Sequence, residues 1–146
     1  MSQTSSFRNN IPFIQDLGIE LVSAQNGRAV VALNLAPRHL NSWAMAHGGV
    51  LMTMMDVAMA VAGRSLDPGD GAGMTLEMKT SFMQPGHAGT RLIASAHAFH
   101  RSNTLSFSEA EVRDIAGRLI AKSMGTFKHK KVRSPPDPPA PPVDPA

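Results

Sequence analysis

Asp56 is the single carboxylate in a long apolar run, with Val50, Leu51, Met52, Met54, Met55, Val57, Met59 and Val61 around it. Burying a lone carboxylate is expensive. Asp56 therefore faces water, caps a helix, or does chemistry, and partial burial would raise its pKa and make it a stronger base. Gly48-Gly49 stands at the start of the same run. Free backbone N–H groups at a helix start point outward, and without side chains a carbonyl group can approach them closely. With the helix dipole behind them, such donors stabilise an oxyanion; a turn that merely tolerates glycine has the same sequence. Asp56 lies two helical turns past Gly49 on one face, roughly 10 Å along the axis. One carbonyl cannot meet both ends. Joint chemistry needs a second chain, with two helices antiparallel about a two-fold axis and Asp56 of one near Gly48 of the other.

The elements that must position these residues follow from periodicity and turn signals. The apolar run predicts a helix from near His47 to about Arg64. A short helix is expected at about residues 8–17, ended by Gly18. Two strands joined at Asn26-Gly27 follow, a strong hairpin signal, and Pro37 stops the second. After the long helix come four strand-like runs, 73–84, 90–100, 104–113 and 118–128, separated by Pro85-Gly86, Ser102-Asn103 and Ala116-Gly117. Short turns between them suggest an antiparallel meander. A helix apolar almost all round must be enclosed. The expected fold is therefore α+β in the order β-β-α-β-β-β-β, a curved antiparallel sheet around one long helix, with oligomerisation covering what remains.

The chain has 146 residues, enough for one domain, here residues 1–128. Residues 129–146 hold a basic start and seven prolines in their last thirteen positions, a composition that stays extended, and are expected to be a disordered tail. The net charge of +3 owes much to residues 128–146, which leave ten cations against nine acids elsewhere. Nucleic acid is therefore not an expected partner. The absence of cysteine excludes disulfides and thiolate chemistry and fits a reducing cytoplasm. Residues 1–13 carry neither a basic start nor an apolar block, so no secretory signal is expected, and no run approaches the roughly 20 apolar residues of a membrane span.

The pattern N-x5-HGG-x7-D, formed by Asn41, His47, Gly48, Gly49 and Asp56, resembles the hotdog-fold acyl-CoA thioesterases of the phenylacetic-acid-degradation (PaaI-like) type. The stretches GMTLEMKTSFMQPGHAG and SNTLSFSEAEVRDIAGRLIAKSMGTF resemble that family's strands, so the similarity covers roughly residues 10 to 128. The resemblance implies a hotdog fold, homodimers with a continuous sheet that complete the active site, and dimers of dimers. It implies hydrolysis of acyl-CoA to free acid and CoA without metal or cofactor. Asp56 would be the nucleophile or general base, Gly48 or Gly49 the oxyanion donor, and Asn41 and His47 would shape the site. Thr75 would sit near the carboxylate and hold the water or leaving sulfur.

Met52, Met55, Trp43 and Phe82 are candidates for the acyl pocket, Trp43 equally for a dimer contact, and Arg64, Arg101, Lys128 and Lys130 for the CoA phosphates. His47 is as much a candidate for capping the helix as for chemistry. His39, His87, His97 and His100 lack metal-ligand spacing, and Glu109 and Glu111 read as an exposed stripe. Two rivals share the scaffold: an enoyl-CoA hydratase and a non-catalytic acyl-CoA binding protein. Hydratases of this fold pair the aspartate with a downstream histidine, and VAMAVAGRS after Asp56 contains none.

Overall fold

The computed structural model describes residues 6–8, 10–67 and 69–131. Helix α1 spans Pro12–Leu17, shorter than expected at its start because Pro12 occupies a first-turn position, and it ends at Gly18 with φ 78°. Strands β1 (Glu20–Gln25) and β2 (Arg28–Asn34) form the hairpin. Asn26 and Gly27 both take positive φ, 52° and 78°, the requirement of a tight primed turn. Helix α2 covers Gly48–Ser65. The remaining strands are β3 (Asp70–Phe82), β4 (Arg91–Arg101), β5 (Leu105–Asp114) and β6 (Leu119–Lys131).

All neighbouring strands are antiparallel, in the order β1-β2-β4-β5-β6-β3. The architecture is the hotdog fold expected of the sequence, with the sheet open rather than closed into a barrel. The meander is correct for β4, β5 and β6 only. β3 crosses over to pair with β6, while β4 pairs with β2, which leaves β1 and β3 as the edges. β6 continues through Lys131, so residues 129–131 are strand rather than tail. The rest of the expected tail, 132–146, lies outside the described residues.

The concave face of the sheet explains how it can curve onto a helix. Its buried positions are largely small: Ala94, Ala96 and Ala98 on β4, Ser106, Ser108 and Ala110 on β5, Ala121, Ser123 and Gly125 on β6. Short side chains let α2 settle close to the sheet, and its larger residues, Met54, Met55 and Met59 among them, fill the core. The closest approach is at Gly63, where a Cβ would lie 2.3 Å from Ser106 Oγ and 2.8 Å from His129 Nε2. Alanine is normally better than glycine in a helix by about 1 kcal/mol, but here overpacking dominates. Gly63→Ala is expected to cost about 1–3 kcal/mol, read as a lowered thermal midpoint. Ser106→Gly in the same chain should restore part of the loss.

Candidate active site

The chain enters α2 through a tightly fastened turn. Asn41 Oδ1 accepts the N–H groups of Trp43 (2.9 Å) and Met45 (3.2 Å), and Ala44 is held at φ 56°. The His47 N–H donates to the carbonyl of His39 at 2.8 Å. His39 itself is buried: its Nδ1 accepts the Ala36 N–H and its Nε2 lies 2.7 Å from the Leu17 carbonyl. Those two bonds together require the neutral ring with the proton on Nε2. His39 thus pins the end of α1 to the turn before α2, an ordered core histidine.

At the helix start, His47 is the N-cap and its Nδ1 accepts the Gly49 N–H at 2.9 Å. That bond occupies the Gly49 donor. Gly48 is the first helical residue, and among the described residues its N–H has no partner. The Phe82 ring lies beside it, and Asn41, Gly48, Leu51 and Phe82 line a hollow of about 390 Å³.

Asp56 lies elsewhere. It is half-buried on a different cavity of about 440 Å³, whose wall along α2 is Met52, Thr53, Asp56, Val57, Ala60, Val61 and Arg64. Thr75, on β3, donates its hydroxyl proton to Asp56 Oδ1 at 2.5 Å. Burial pushes the Asp56 carboxyl above the ordinary aspartate range, and the Thr75 bond partly offsets this. The Gly48 N–H and the Asp56 carboxylate are eight residues apart in one helix, roughly 12 Å along its axis. Within one chain they open onto separate hollows.

Several sequence candidates fall outside both hollows. Met55 is wholly buried in the core, and Trp43 stands 80% exposed on the Asn41 turn rather than lining a pocket. Arg101 turns inward, where its Nη1 donates to the Gly63 carbonyl at 2.6 Å. Met52 lines the Asp56 cavity, Phe82 the Gly48 hollow. Arg64 shares a cavity wall with Asp56, so its place is in the pocket itself. Lys128 and Lys130 are exposed on β6 and line neither hollow. Among the described residues, no three His, Asp or Glu side chains converge as a metal site requires.

The sequence reading missed Thr53, whose hydroxyl donates to the Gly49 carbonyl at 2.8 Å and which borders the same cavity as Asp56. Its spacing of three from Asp56 was the available signal. Arg8, Phe7 and Phe13 close the cavity from the N-terminal segment, and nothing in their local pattern marks them.

Residues 44–121 match the family model described as the thioesterase superfamily. Human acyl-coenzyme A thioesterase 13 is 30% identical over 112 residues, covering 76% of this chain and 79% of that protein. A protein of Thermus thermophilus (TT0310) superposes with a TM-score of 0.74 at 31% identity, over 82% of this chain and 98% of its own. The Escherichia coli PaaI protein, from the phenylacetic acid degradation operon, superposes with a TM-score of 0.76 at 27% identity, over 85% and 86%.

Proposed function

The chain belongs to the thioesterase superfamily, and from that premise we propose that it hydrolyses an acyl-CoA thioester to free acid and CoA. The observation that carries the reading is Asp56: a half-buried carboxylate on a cavity wall, held by the Thr75 hydroxyl and shifted toward stronger basicity. Asp56 takes a proton from water as the water oxygen bonds to the thioester carbon. The carbonyl oxygen becomes an oxyanion, held by the Gly48 N–H of the partner subunit at the positive end of its helix. Collapse of this intermediate breaks the C–S bond, and the thiolate leaves with a proton returned from Asp56. Thr75 orients the carboxylate; Asn41 shapes the turn that presents Gly48, and His47, by capping Gly49, leaves Gly48 as the free donor. A thioester is activated enough that no step calls on a metal or a cofactor.

Joint action of the two hollows on one thioester requires a homodimer. The open edge at β3 supports it, because Met74 and Leu76 on that edge are 65% and 52% exposed. A second copy adding its own β3 there would continue the sheet and set the two α2 helices antiparallel. Light scattering is expected to give a dimer or a dimer of dimers.

The test is free-thiol release from a panel of aryl- and alkyl-CoA thioesters. Release from at least one of them is expected. No release from any would sink the hydrolase reading, and water addition to an enoyl-CoA instead would identify a hydratase.

The pH profile follows from the same carboxylate. Asp56 acts ionised, so kcat/KM should rise with pH through its raised pKa and the acid limb should lie above the ordinary aspartate range. Thr75→Val removes the interaction that lowers this pKa, so the limb should move further up. A limb that stays put or moves down contradicts the assignment.

A further inference from the structure

The cavity beside Asp56 is apolar through most of its depth and cationic at one end. Asp56 and Arg64 stand on one wall, eight residues and roughly 12 Å apart along α2. Arg8 reaches the same end from the N-terminal segment. Arg64 is partly buried, and among the described residues it has no carboxylate partner and makes no hydrogen bond. Its place in the last helical turn sets it near the negative end of the helix without giving it a bonded partner among the described residues. The Gly63 carbonyl at that terminus is taken by Arg101. Burial, and then the neighbouring Arg8 charge, both depress the Arg64 guanidinium. A second polar group waits behind the cavity floor. His129 is 1% exposed, its Nε2 is bonded to Ser106 at 2.7 Å, and its Nδ1 has no partner. That Nδ1 adjoins Gly73, a floor residue of the same cavity, 3.3 Å from where a Cβ would sit.

A half-buried guanidinium near another cation and without a counter-charge is costly, and an anion placed against it relieves the cost. We propose that the Arg8–Arg64 end of the cavity receives a carboxylate at the far end of the acyl chain, so that the preferred substrates are CoA thioesters of medium-length dicarboxylic acids. The inference rests on the hydrolase reading and names its substrate class. The thioester sits at Asp56, the chain runs along Val57, Ala60 and Val61, and the terminal carboxylate accepts hydrogen bonds from Arg64.

The experiment compares kcat/KM for suberyl-CoA and octanoyl-CoA, which differ only at the chain terminus, in wild type, Arg64→Met and Arg64→Lys. The suberyl-to-octanoyl ratio is expected to fall on the order of ten- to a hundred-fold in Arg64→Met and to be partly kept by Arg64→Lys. Equal losses on both substrates would assign Arg64 to the CoA phosphates and overturn the proposal, as would an unchanged ratio. Calorimetry with free suberate and octanoate decides the point without turnover. Wild type should bind suberate more tightly, and Arg64→Met should abolish the difference; equal binding by wild type overturns the proposal even where the thioesterase assay succeeds. Absence of all turnover would instead count against the hydrolase reading, leaving calorimetry to judge the carboxylate site.

Discussion

Asp56→Asn is expected to lower kcat on the order of a hundred- to ten-thousand-fold while leaving the protein folded. Asparagine keeps the shape and the contact with Thr75 but cannot take a proton from water. The same substitution should raise stability at neutral pH, and the sign follows from linkage. Burial raises the Asp56 pKa in the folded state above its unfolded value. The folded protein therefore holds the proton more tightly, and the contribution to stability is greatest below the unfolded pKa. It falls as pH rises through the window up to the raised folded value. Above that window the ionised carboxylate is a constant cost, which a neutral side chain removes. Steady-state thiol release and thermal unfolding at pH 7 check both halves. Lost activity with a lowered midpoint would indicate a structural carboxylate instead of a catalytic one.

Gly48→Pro is the second large effect, expected to reduce kcat on the order of a hundred- to a thousand-fold by deleting one oxyanion donor. Proline is the informative replacement because Gly48 is the first residue of α2, where the missing N–H breaks no helical bond. The preceding residue must be extended, and His47 already is, at φ −61° and ψ 135°. The cap from His47 to the Gly49 N–H is untouched by the change. A folded, helical variant with wild-type kcat would show that the Gly48 donor is not used.

Much of this was legible in the string because it rests on local chemistry. Asn26-Gly27 fixed the hairpin, and the apolar run from Val50 fixed α2 within a residue at either end. Strand order was not legible, because the pairing of β3 with β6 joins segments far apart in sequence and carries no turn signal. The phase of α2 was hidden for a related reason. A helix apolar on nearly every side does not announce which methionine faces a cavity, so Met52 and Met55 looked equivalent, though one lines the pocket and the other is core. Trp43 stood open between the acyl pocket and a dimer contact, and the Asn41 turn sets it 80% exposed, outside both hollows of the single chain. The separation of Gly48 from Asp56 was readable directly, since helix geometry alone decides it.

The central claim is that one chain's Asp56 works with the other chain's Gly48, and subunit complementation tests it most directly. Asp56→Asn and Gly48→Pro chains are each expected to be nearly inactive alone. Co-refolded in equal amounts, half the dimers should be mixed, and each mixed dimer should hold one intact pair, Asp56 of one chain with Gly48 of the other. Activity should return to roughly a quarter of wild type. A mixture no more active than its separate components, with mixed dimers shown to form, would contradict the shared site.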